Sequence, residues 1–232
     1  MPQPLHQKYA AKVTIQRAAA TRQEQALNAA NVISQWAKLD SIMPIIFNGL
    51  IKSDPTPAAA TFAAIRNFQT RQDAIRKQAE IGLKDQRDKG ILNAILKIYS
   101  STAKSRDKIA HHLWGTHDDF PDAIILVDPT TLRDISTATQ AHKVNDDFTF
   151  DDAVKYQEDM RQAMMVWRTK DFADVAGRAD RGFVLATMFS IMISKVGPHA
   201  PDDPTRQMLL AQREISEFLN RPGNGSKKSQ AT

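Results

Sequence analysis

The chain has 232 residues and a mass of 25.9 kDa, enough for one large domain or two small ones with a full hydrophobic core. Its 42% hydrophobic and 25% charged residues exclude a mostly disordered or fibrous protein. The absence of cysteine excludes a disulfide framework, a thiolate nucleophile and any cysteine-based zinc or iron–sulfur site.

Charge is unevenly distributed. The formal net charge is +5, but residues 1–115 hold 17 Lys and Arg against 8 Asp and Glu, whereas residues 116–232 hold 14 against 18. The basic excess peaks between Arg66 and Lys108. Such a division fits a face for a polyanion, RNA or DNA, and equally fits an acidic part packed on a basic part within or between chains. Aromatic residues are only 7%, which disfavours a nucleic-acid surface built on stacked bases. The longest apolar stretch, 183–196, falls short of the roughly 20 residues of a membrane span and contains Thr187, Ser190 and Ser194. It reads as a core helix, and no membrane partner is expected. Residues 1–23 lack the apolar stretch of a secretory signal. They carry four cations without an acid or a serine, and read as a basic helix start rather than a transit peptide. A cytoplasmic location is expected.

In chain order, residues 1–12 read as an N-terminal tail. A first helix is predicted from Val13 to Lys52, kinked or split at Pro44. Ser53-Asp54-Pro55-Thr56-Pro57 is a break. A second helix runs from about Ala58 to Gly82, with Phe62, Ile65, Phe68, Ile75 and Ala79 on one side and an opposite side rich in Arg and Gln. A third runs from about Asp85 to Trp114, with Ile91, Ile95, Ile98, Tyr99, Thr102, Ile109 and Leu113 in one stripe and Gly115 as C-cap.

The pattern then changes. Ala123–Val127 is a short apolar stretch between Pro121 and Asp128-Pro129 and reads as a strand, with further β structure near Val144–Phe150. Asp128-Pro129 also fits the start of a small helix over 130–141. Thr149-Phe150-Asp151-Asp152 resembles a capping box, opening a long helix with Tyr156, Met160, Met164 and Trp167 at its apolar positions. That helix is expected to bend near Gly177 and Gly182 and to end before Gly197-Pro198. A short C-terminal helix over 204–220 and a disordered tail over 221–232 complete the reading. The expected architecture is an all-α helical bundle over 13–196 with a small irregular or β-containing insert at 116–150, followed by a C-terminal segment, 197–220.

The common catalytic motifs are absent: no Gly-x-Gly-x-x-Gly, Walker A loop, His-Glu-x-x-His or Gly-x-Ser-x-Gly. Asp118, Asp119 and Asp122 cluster with His117, but an Asp-rich loop after a helix is ordinarily a solvated turn, and no metal or other cofactor is assigned. The remaining candidate is Ser105-Arg106-Asp107-Lys108-Ile109-Ala110-His111-His112-Leu113-Trp114-Gly115. With Ile91 at zero on the helical wheel, Arg106 falls at about 60°, inside the apolar stripe, His111 at about 200° and His112 at about 300°. A cation on a core-facing stripe is costly unless paired. Asp107 lies one turn before His111, so its carboxylate can hold one ring nitrogen and fix the tautomer. The bland reading is that Arg106 pairs with an acid of a neighbouring helix and that the imidazoles sit where the helix dipole favours cations.

Arg106-Asp107-Lys108-Ile109-Ala110-His111 resembles the Arg-polar-x-x-x-His signature of the HEPN superfamily, with His112 as the alternative partner, and the Ile-Ala-His-x-x-Trp-Gly context is similar to bacterial HEPN-like proteins of unknown role. The resemblance implies a small helical bundle that dimerises. Many members are metal-independent endoribonucleases of toxin–antitoxin, phage-defence or RNA-processing systems; others bind nucleic acid or nucleotides without catalysis. It implies Arg106 and His111 as the catalytic pair and Asp107 as the polar motif residue. RNA, a second copy of the chain, and an antitoxin or regulatory protein are the expected partners. On a straight helix Arg106 and His111 lie about 140° apart. A shared site therefore needs Arg106 to reach around, the helix end to unwind, or a partner chain to complete it.

Overall fold

The computed structural model describes residues 1–6, 9, 13–15, 18–52, 54–145, 149–194 and 203–221. Among them the fold is mainly helical, with ten helices and a small four-stranded sheet. Helix α1 spans Ala18–Thr21 and α2 spans Gln23–Ile51. The expected start at Val13 is not helical: Thr14 and Thr116 exchange backbone hydrogen bonds of 2.9 and 2.8 Å. Nor does Pro44 split α2, although it lacks the N–H that would bond the Asp40 carbonyl. An interior proline costs about 3 kcal/mol. Ile42, Met43, Ile46 and Phe47, on either side of it, are all buried. Each such side chain gains roughly 1.5–3 kcal/mol on burial. Packing therefore outweighs the lost bond.

The second expected helix is two, α3 (Pro55–Ala64) and α4 (Phe68–Gly82). Both start on capping side chains: Asp54 accepts from the Thr56 N–H at 3.0 Å, and Asn67 from the Thr70 N–H at 2.9 Å. Asn67 competes with helix continuation, which explains the interruption. Helix α5 covers Gln86–His111 and stops short of Trp114; Leu113–Gly115 is strand β2. Gly115 is thus not a C-cap. It is buried in β2, where an added Cβ would lie 2.6 Å from Val13 Cγ1.

Strand β3, Ala123–Val127, is present as expected. Helix α6 extends over Pro129–Asn145, so Val144 and Asn145 are helical rather than β, and Phe150 begins α7 (Phe150–Ala163); 146–148 lie outside the described residues. The capping box forms: the Thr149 N–H donates to Asp152 Oδ2 at 3.0 Å and the Asp152 N–H to Thr149 Oγ1 at 3.2 Å. The long helix expected beyond it is broken by strand β4, Met164–Arg168. Helix α8, Thr169–Ser194, then runs through Gly177 and Gly182 without interruption. Gly182 serves packing, since a Cβ there would lie 2.8 Å from Ile98 Cγ2 and 3.0 Å from Leu39 Cδ2. Gly197-Pro198 and 222–232 lie outside the described residues. The last expected helix is again two, α9 (Pro204–Leu210) and α10 (Arg213–Leu219), separated where Gln212 is extended.

Two compact units emerge, Met1–Ser34 with Ala103–Gly177 and Gln35–Thr102 with Arg178–Thr232. The first holds the sheet, antiparallel in the order β1-β4-β3-β2, where β1 is Gln3–Pro4. Side chains alternate across a strand, and here the alternation sorts one strand into two cores. Ile124 and Leu126 pack with Ala29, Val32, Ile109, Trp167 and Phe172. Ala123, Ile125 and Val127 pack with Leu5, Met164 and Val166. Leu5, within the stretch read as a tail, is fully buried. The second unit has its own core around Leu39, Met43, Phe62, Ile75, Ile91, Ile95, Leu185 and Phe189. Within it the buried Tyr99 donates its hydroxyl to Asp40, and the buried Arg206 is held by Asp85 and Asp88.

Candidate functional site at the end of α5

The last turn of α5 is fixed from both sides. Ile109 is buried against the sheet, and the Trp114 indole N–H donates to the Ile109 carbonyl at 2.9 Å, satisfying one of the acceptors a helix C-terminus leaves open. The His112 N–H bonds the Lys108 carbonyl at 2.9 Å, so the helical hydrogen-bond ladder extends past His111. Unwinding before His111 is therefore not how Arg106 and His111 come together. On this α-helix they stay about 140° apart, displaced about 7.5 Å along the axis.

Arg106 is neither locked in the interior nor open to solvent. Its side chain is 30% exposed, and Nη1 donates to Asp107 Oδ1 at 2.8 Å, with Asp107 58% exposed. Asp107 thus engages its sequence neighbour. No hydrogen bond joins it to His111 among the described residues, contrary to the expected pairing one turn on. His111 is exposed at the helix end.

His112 is half-buried and lines an open cleft of about 450 Å³. Lys108 lies one helical turn before it on the same wall. Asp128 and Thr131 enter from the start of α6, and Asp159 and Gln162 from α7, over apolar surface from Ala163 and Met165. Burial pushes the His112 imidazole below its ordinary pKa. Burial outweighs the opposing pull of the Asp128 carboxylate, and Lys108 and His111 each add a smaller push in the same direction as burial. The ring is therefore held neutral at pH 7, suited to accept a proton. Asp128 is rigidly placed: Oδ1 accepts from the Thr130 N–H at 2.9 Å, capping α6, and its own N–H donates to the Ala163 carbonyl at 2.9 Å. Asp159 makes no hydrogen bond or ion pair among the described residues.

Of the four sequence candidates, the cleft takes in His112 alone; Arg106, Asp107 and His111 do not line it. Lys108 was detectable, one turn from His112 inside the same motif. Asp128 carried a signal as a helix start, not as a site residue. Asp159 and Gln162 carried none, because their approach depends on how α7 returns to the sheet. His117 is buried, its Nδ1 accepting from the Asp119 N–H at 3.1 Å beside the rings of Tyr9 and Phe120. Among the described residues no group of three or more His, Asp or Glu is arranged to hold a metal ion. Comparison with protein-family models, with curated proteins and with solved structures gives no match to this chain.

Proposed function

We propose that this protein is a metal-independent endoribonuclease of HEPN-like type, acting at the end of α5. The observation that carries the reading is His112: an imidazole kept neutral by burial, at an open cleft, one turn from Lys108 and within a motif that also supplies Arg106 and His111. RNA cleavage needs little more. The ribose 2′-oxygen attacks the adjacent phosphorus as His112 takes its proton. The bond from phosphorus to the 5′-oxygen breaks, and His111 returns a proton to that oxygen. The Arg106 guanidinium and the Lys108 ammonium balance the charge that builds on the phosphoryl oxygens. The products are a 2′,3′-cyclic phosphate and a 5′-hydroxyl. In a dimer, Arg106 of one chain and the imidazoles of the other would complete each site, removing the angular separation.

A second reading, a non-catalytic nucleic-acid-binding or regulatory module of the same type, is favoured by the Asp107 carboxylate that already engages Arg106. One experiment separates them: incubation of the purified protein with varied RNAs in EDTA. Cleavage is expected, with Arg106→Ala and His112→Ala each slowing it at least about 100-fold at unchanged helicity. Retention of RNA that weakens with salt, without cleavage, assigns the binding module instead.

A further inference from the structure

We propose that the cleft beside His112 is a base-selecting subsite and that the base it takes is guanine, read by the Asp159 carboxylate. The proposal rests on the RNA reading above and adds to it a substrate preference. At about 450 Å³ the cleft lies within the ~300–1,000 Å³ range of small-molecule sites, wide enough for one unstacked nucleoside.

Its lining is selective. A carboxylate only accepts, and through two parallel oxygens. Among the RNA bases, only guanine presents two adjacent donors, N1–H and the 2-amino group, with no acceptor between them. Adenine and cytosine set an acceptor beside their amino group, and uracil flanks its single N–H with two carbonyls. Asp159 is a carboxylate on the cleft wall with no partner among the described residues, so both oxygens are available. Asp128 is less suited, since one of its oxygens already caps α6. Lys108, also without a partner among the described residues, supplies a donor for the guanine O6 or a flanking phosphate. Ala163 and Met165 give an apolar surface for the base face, and a thioether sulfur is a good neighbour for an aromatic ring. That floor takes the place of the aromatic platforms the composition lacks.

The test is calorimetric titration of the full chain with guanosine 3′-monophosphate and, separately, adenosine 3′-monophosphate. The guanine nucleotide is expected to bind at least tenfold more tightly. Asp159→Asn, which exchanges one acceptor for a donor without changing shape, should remove that preference while leaving the adenine nucleotide unaffected. Equal binding of the two nucleotides, or an unaltered preference in Asp159→Asn, overturns the proposal. The outcome is independent of catalysis. RNA cleavage without guanine preference removes the subsite and leaves the nuclease reading standing. Guanine preference lost in Asp159→Asn, without RNA cleavage, supports the subsite and removes the nuclease.

Discussion

Arg206 carries a guanidinium into the interior of its unit, where its side chain is only 3% exposed. Its Nε donates to Asp88 Oδ1 at 2.7 Å, its Nη2 to Asp85, and its own N–H to Asp203 at 3.0 Å. Two carboxylates on the first turn of α5 and the segment before it are thereby tied to α9. Taking such charges out of water costs several kcal/mol each, recovered only while the geometry is intact. Arg206→Ala leaves Asp88 buried and unpaired, and an urea titration is expected to show a loss of about 3–5 kcal/mol. Arg206→Met together with Asp88→Leu, which removes both charges, should cost much less. Arg106–Asp107 is the opposite case. It is a neighbouring pair at the surface, and screening reduces such pairs to about 0–1 kcal/mol. Asp107→Ala is therefore expected to leave stability within about 0.5 kcal/mol of the parent. The interior guanidinium that the helical wheel assigned to Arg106 exists in this protein as Arg206, where no local pattern announced it.

Helix α2 shows how far an element can follow packing against its own propensities. Pro44 sits inside a 29-residue helix whose neighbouring turns are buried. Pro44→Ala restores the N–H for the Asp40 carbonyl and removes the ring clash, so chemical denaturation is expected to show a gain of about 1–2 kcal/mol. No gain would mean that Asp40 is already satisfied by another route. The same competition decides which elements could be read from sequence. Strand β3 was legible because Ala123–Val127 is a short apolar stretch between prolines, buried on both faces. Strand β4 was not. Met160, Met164 and Trp167 continue the helical spacing of α7, and it is the pairing with β3 over five residues and with β1 on the other side that makes Met164–Arg168 extended. Strand β1 is two residues long and has no sequence signature at all. At the site, His112 and Lys108 belong to one helix end and were open to spacing arguments. The cleft walls from α6 and α7 arise from tertiary structure, beyond any local pattern.

The charge imbalance changes meaning once the chain is divided as it folds. The unit of 1–34 and 103–177 contains 13 Lys and Arg against 15 Asp and Glu, while the unit of 35–102 and 178–232 contains 18 against 11. The basic excess thus belongs to one compact unit and the candidate cleft to the other. Each unit also holds a group whose perturbed pKa bears on stability against pH, His112 in one and Asp85 in the other. His112 lies in the acidic unit, with its folded pKa pushed below the ordinary 6.5, chiefly by burial. The unfolded chain then takes the proton first, so stability is full above about pH 6.5 and falls as pH drops below it, levelling once the folded ring titrates too. Asp85 lies in the basic unit. Burial opposes its charge, but the Arg87 backbone N–H and the Arg206 guanidinium outweigh burial and hold its carboxyl below the ordinary 3.8. That contribution is present above about pH 3.8 and is lost as pH falls through the folded value. Urea midpoints measured from pH 8 to pH 3 should therefore decline in two separate steps. His112→Gln should flatten the upper step and leave the lower; Asp85→Asn should shrink the lower step, to which Glu217, held below its ordinary pKa by Arg213, also contributes, and leave the upper. An upper step that survives in His112→Gln would show that the imidazole is not held neutral, and with it would go the case for His112 as the proton acceptor.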